Sequence, residues 1–181
     1  MVRFKHGKPK AVWFSQHEYG EAFSYKTVQK VGKRPLGFSA RGSHANYAEA
    51  GKHDLHDQSM SSSTLAFDPL THSPVDDIPK RIVYDHTSEG LLWDPTLSAY
   101  YYMYDIATKK LTPAKKDSPT EYLEFSGKWG DQEYGDDVKG QENIYGFHKW
   151  TGGPQGPMFK NLDRKDVCLP NKPICIIRES L

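Results

Sequence analysis

Three of the chain's eight histidines fall within residues 39–57, SARGSHANYAEAGKHDLHD, together with two aspartates and a glutamate. His44, His53, Asp54, His56 and Asp57 carry imidazole and carboxylate groups, the side chains that bind a divalent metal or move protons near neutral pH. His53 and His56 stand three apart with Asp54 between them, a spacing that lets two imidazoles face one ion from a turn. The expected ligand set is His44, His53, Asp54 and His56 around one divalent ion of open identity, at least two of them within about 5 Å of each other. A second reading turns the same loop to hydrolysis, with His44 as general base and Asp54 as its orienter. Ser43 stands beside His44, yet no Gly-x-Ser-x-Gly elbow frames it as a nucleophile. The plainest reading is a solvated loop that happens to hold several histidines.

Two further stretches offer binding chemistry. Trp93-Asp94-Pro95 and the run Tyr100, Tyr101, Tyr102 and Tyr104 would make an aromatic platform for a carbohydrate ring or a lipid headgroup, with Trp93 and Asp94 as the candidate binding residues. The competing account is a core strand with one aromatic face buried. Alternation puts Tyr100, Tyr102 and Tyr104 on one face and Tyr101 and Met103 on the other. Trp129-Gly130-Asp131 with Asp136 and Asp137 offers hard oxygen ligands, but without the acidic spacing of a calcium loop it is expected to be a solvated turn. Gly152-Gly153-Pro154-Gln155-Gly156-Pro157 lacks the Lys-Ser/Thr of a phosphate cradle and is expected to be a rigid turn.

The elements that must hold these groups are short strands. Val2 and Phe4 alternate with Arg3 and Lys5, and His6-Gly7-Lys8-Pro9 leads into Ala11-Val12-Trp13-Phe14-Ser15, which predicts an antiparallel hairpin. Further short strands are expected at 28–31, 35–40, 81–84, 99–105 and 121–126. Residues 59–79, rich in Ser and Thr with prolines at 69, 74 and 79, read as a surface excursion. At most a helical turn or two is expected at 160–166. The predicted class is all-β, an antiparallel β-sandwich with long loops and little helix, built as one domain over 1–181.

Composition narrows the function. Lys+Arg 24 against Asp+Glu 23 leaves a net charge of +1 and no basic run, which excludes the electrostatic footprint of a nucleic-acid binder. No stretch is long and apolar enough for a transmembrane segment, and no charged-then-apolar leader is visible in the residues given, which leaves the compartment open. Cys168 and Cys175 flank Leu169-Pro170-Asn171-Lys172-Pro173, whose prolines and asparagine turn the chain back far enough for a disulfide. Such a bond points to an oxidising compartment, with buried reduced thiols as the alternative. Two cysteines alone complete no structural zinc site, and no Asn-x-Ser/Thr acceptor is present.

Four blocks carry a resemblance. Gly42-Ser43-His44-Ala45-Asn46-Tyr47, Asp85-His86-Thr87-Ser88-Glu89-Gly90 with Trp93-Asp94-Pro95, Gly127-Lys128-Trp129-Gly130-Asp131, and Gly153-Pro154-Gln155-Gly156-Pro157 together resemble the vacuolar protein sorting-associated protein 62 family, found in fungi and plants. The resemblance implies a non-enzymatic binding or membrane-surface module related to vacuolar protein sorting, with the secreted or vacuolar hydrolase as its alternative. Placement is expected to be secreted or vacuolar, with the cytoplasm left open. Family members typically carry a His-Gly-Asp-Trp-Glu segment just before the strand that opens here as Met1-Val2-Arg3-Phe4. The chain is therefore expected to lack the N-terminal part of the family domain and to pair through that edge as a homodimer. The Asp-Trp-Glu arrangement is similar to the metal-binding heptapeptide of the necrosis- and ethylene-inducing proteins, secreted β-sandwich cytolysins, and those residues are the ones not found here.

Overall fold

His6 and Gly7 both adopt positive φ, 51° and 71°, the combination that joins two strands through a two-residue turn whose twist matches theirs. This turn pairs Lys5 with Lys8 and folds β1 (Val2–Lys5) back on β2 (Lys8–Gln16), as the alternation predicts. The computed structural model describes residues 1–16, 19–54, 84–141, 143–144, 147–148, 150–170 and 174–181. In chain order there follow β3 (Tyr19–Ser24), β4 (Lys30–Val31), β5 (Arg34–Pro35), β6 (Phe38–Ser39), β7 (Asn46–Tyr47), β8 (Gly51–Asp54) and β9 (Tyr84–Thr87). After these come β10 (Tyr102–Asp105), β11 (Lys110–Pro113), β12 (Asn143–Ile144), β13 (Phe147–His148) and β14 (Ile177–Arg178).

The class is all-β. Among the described residues one four-stranded sheet has the order β1-β2-β3-β14, antiparallel except for the parallel β3–β14 pair, and five two-stranded antiparallel pairs accompany it. Among the described residues the helical pieces are two 3-10 turns, Pro95–Ser98 and Pro157–Phe159. Residues 160–166 form turns rather than a helix. Contacts divide the chain into two units, 1–92 with 164–181, and 93–163.

In the first unit β2 is buried on both faces. Ala11 and Trp13 pack with Ala22, Val167 and Cys168 on one side, while Val12 and Phe14 pack with Phe23, Val28 and Ala48 on the other. Successive strand residues point to opposite faces, so the run Ala-Val-Trp-Phe serves two cores at once. The predicted disulfide is present: Cys168 and Cys175 are bonded with Cα atoms 5.5 Å apart, inside the usual range. It closes the first of these cores, where Leu169 and Cys175 are partly buried against the cluster. β1 forms one edge of the sheet, and its register shifts between Arg3 and Phe4. An irregular, charge-bearing edge discourages further strand pairing.

In the second unit β10 and β11 pair from Tyr102↔Pro113 to Asp105↔Lys110. Tyr102 and Tyr104 are half-buried and Met103 is exposed, as alternation requires. Tyr100 and Tyr101 precede the strand and are exposed. One strand expectation needs correction. Residues 121–126 form tight turns, with Leu123 N–H donating to Thr120 O and Phe125 N–H to Tyr122 O. Their period-2 pattern is broken in space because the neighbours Tyr122 and Leu123 both turn inward, half-buried and buried. Of 81–84 only Tyr84 lies among the described residues, and the stretch 59–79 lies outside them.

Candidate functional site

β6 and β7 are joined by residues 40–45, which turn through Gly42 at φ 87° and His44 at φ 60°. The loop is closed by Ala40 N–H to Ala45 O and His44 N–H to Ala40 O, and it is tied to β9 by Arg41 N–H to His86 O. β8 lies antiparallel to β9 with His53 opposite Asp85. The first two sequence blocks, some forty residues apart, are thereby folded onto each other.

Asp85 is the centre of this arrangement. It is only 7% exposed and accepts hydrogen bonds from Ser43 Oγ at 2.9 Å and from Tyr47 Oη at 2.7 Å. A buried carboxylate is tolerated only when donors replace the water it has lost. Tyr47 is 1% exposed and packs with Ala40 and Ala45. Burial, then the hydrogen bond and charge of Asp85, push the Tyr47 phenol far above its ordinary value. It therefore stays protonated and acts as a donor.

His53 stacks face to face on Tyr47, with ring centroids 3.7 Å apart and planes 10° from parallel. Its Nε2 lies 2.9 Å from Thr87 Oγ1, which also accepts from Gly51 N–H at 2.9 Å. Burial lowers the His53 pKa, opposed by Glu21, by the backbone and charge of Glu49, and by Asp85. Glu21 reaches this side of the sheet from β3, bonded to Gln16 Nε2 at 3.0 Å and paired with Arg178.

The sequence-predicted residues are distributed as follows. His44 is exposed on its turn. His53 is half-buried and engaged with Tyr47 and Thr87. Asp54 ends β8, while its side chain, His56 and Asp57 lie outside the described residues. Among the described residues no group of three or more His, Cys, Asp or Glu side chains is placed to hold a metal ion. Ser43 donates its hydroxyl to the Asp85 carboxylate.

Trp93 is 74% exposed, and Asp94 caps the 3-10 turn by accepting from Thr96 N–H at 3.0 Å and Thr96 Oγ1 at 2.7 Å. Asp94 is thus a capping residue as well as a candidate contact. The residues not assigned to a site from sequence are Tyr47, Asp85 and Thr87. Their signal was present in the two blocks that contain them, but nothing in one-dimensional spacing pairs the blocks.

The later blocks pair in the second unit. Trp129 N–H donates to Pro154 O at 2.7 Å and Gly153 N–H to Asp131 O at 2.9 Å. The approach is so close that a Cβ on Gly153 would stand 2.7 Å from Trp129 O, so only glycine fits. Tyr122 sets its ring edgewise to Trp129, 5.7 Å between centroids, and donates its hydroxyl to that of Tyr102 at 2.8 Å. Nearby, His148 contacts Glu133 through Nδ1 and Asp136 through Nε2, the latter at 3.0 Å. The two carboxylates thus meet opposite ends of the ring rather than converging on one ion. The acidic turn expected here is tied to a histidine.

This is an all-β chain whose paired sequence blocks build packed polar and glycine-rich joints. No family model and no solved structure matches it. It is 36% identical over 189 aligned positions to "Putative vacuolar protein sorting-associated protein TDA6" of Saccharomyces cerevisiae, covering 93% of this chain and 36% of that protein. It is 33% identical over 185 positions to the same organism's vacuolar protein sorting-associated protein 62, covering 93% of this chain and 35% of that protein. The chain thus spans about a third of the length of the curated relatives it matches. Over that span it belongs to the vacuolar protein sorting-associated protein 62 family.

Proposed function

We propose that the chain is a binding module in vacuolar protein sorting and works without catalysis. The observation that carries this is the use made of the polar residues in the first two blocks. Ser43 and Tyr47 donate to the same buried carboxylate, and His53 is held by stacking and by Thr87. Groups committed to one another in this way stabilise a fold, whereas a catalytic base needs a reachable proton to take. The names of the yeast relatives supply the sorting context.

The test is a sorting assay in cells lacking the native copy, scored by delivery of a soluble hydrolase to the vacuole. The full chain carrying Ser43→Ala or His44→Ala should restore delivery as fully as the unaltered chain. Loss of delivery by either variant, once shown to be folded and present at normal levels, would assign chemistry to the loop. Normal delivery in cells lacking the chain altogether would remove the sorting role.

A further inference from the structure

The second unit carries an exposed aromatic and apolar stretch with almost no charge. From Trp93 to Tyr104 the single charged residue is Asp94. Leu97 is 85% exposed and Trp93 74%, and Tyr100, Tyr101 and Met103 are also exposed. Large exposed side chains gathered in one short stretch mark an interaction surface rather than ordinary surface scatter.

Several of its polar groups are bonded within the unit. Asp94 satisfies Thr96 N–H, Leu97 N–H bonds Asp94 O, Tyr101 Oη donates to Thr96 O, and Tyr101 O accepts from Ala114 N–H. Polar groups already bonded within the turn cost little to remove from water, which is the condition for entering a lipid interface. Tryptophan and tyrosine are also the side chains that settle at the headgroup level of a bilayer.

The register of the hairpin adds charge. Tyr102 pairs with Pro113 and Tyr101 with Ala114, so the chain leaves β11 at the end where Tyr100 and Tyr101 enter β10. The next residues are Lys115 and Lys116, both exposed. Two exposed cations, followed by Asp117, stand beside a stretch whose single charge is the turn-capping Asp94, and the lysines complement a surface that is apolar beneath and anionic above.

Resting on the binding-module reading, we propose that the Trp93–Tyr101 face of the second unit, with Lys115 and Lys116 at its margin, docks on an anionic lipid bilayer. Trp93 and Leu97 enter the interface while the lysines meet lipid phosphates.

The test is flotation of the full chain with phosphatidylcholine vesicles, with and without about 30% phosphatidylserine. The unaltered chain should float with the anionic vesicles, and Trp93→Ala or Leu97→Ser should each weaken partitioning about tenfold. Lys115→Ala with Lys116→Ala should weaken it about tenfold to thirtyfold and flatten its dependence on salt. Each altered residue is exposed, and circular dichroism checks that each variant is folded. Should Trp93→Ala prove unfolded, Leu97→Ser decides alone. Failure of the unaltered chain to float, or flotation unchanged in the folded variants, overturns the membrane proposal. Either result leaves the sorting assay standing, because that assay reads delivery and would then point to a protein partner of the same module.

Discussion

The two units solve the same problem, joining distant sequence blocks, with opposite chemistry. In the first, Ser43 and Tyr47 from one block converge on Asp85 from another, and the joint is held by charge-assisted hydrogen bonds. In the second, Trp129 and Gly153 bring backbone against backbone with no side chain between them, and the joint is held by shape. A buried carboxylate fails severely when its donors or its charge are removed, because the remaining groups cannot return to water. A glycine contact fails by as much as the neighbouring backbone cannot yield. Motif residues can serve as frame: here both pairs hold distant stretches of the chain together.

The largest loss is expected from Asp85→Ala, about 3–5 kcal/mol, because it removes two hydrogen bonds to a charged acceptor and leaves the buried Tyr47 hydroxyl without one. Gly153→Ala is expected to cost about 1–3 kcal/mol through overpacking. Urea denaturation of both variants measures the two. Equal losses would mean that the joints do not differ as described. Next in size is the cystine. Replacing Cys168 and Cys175 together by alanine should cost about 2–3 kcal/mol, since the bond closes a short loop beside the Trp13 core. A midpoint shift confined to nonreducing conditions checks this, because a reductant should bring the unaltered chain to the same value.

The smallest effect is a pH slope. His53 has a folded pKa below its ordinary value, so the unfolded chain takes up the proton more readily. Stability from this group is full above about 6.5, the unfolded value, and declines as pH falls toward the folded one. His53→Gln, which removes the titrating ring, should flatten the fall in midpoint temperature below neutrality. A slope unchanged by that substitution would place the acid sensitivity elsewhere.

Much of the frame was legible in the chain itself. The β1–β2 hairpin follows from alternation and the His6-Gly7 turn, and the Cys168–Cys175 bond from the prolines between the cysteines. The strand expected at 121–126 was misleading because alternation of residue type does not fix alternation of direction once Tyr122 finds a partner in Tyr102. The polar cluster was legible only as two motif blocks. Tyr47 has the composition of a core aromatic and Asp85 that of a surface acid, and only their meeting in space reveals a buried hydrogen-bonded pair. Among the histidines of the loop, His53 stacks on Tyr47 and His44 is exposed on its turn, while His56 lies outside the described residues.

Tyr47 and Asp85 join the first two blocks into one structural unit. A double-mutant cycle with Tyr47→Phe and Asp85→Asn, each measured by urea denaturation, tests it most directly. Coupling of about 1 kcal/mol or more is predicted, as for residues sharing a buried hydrogen bond. Additive losses, with coupling below about 0.3 kcal/mol, would contradict it.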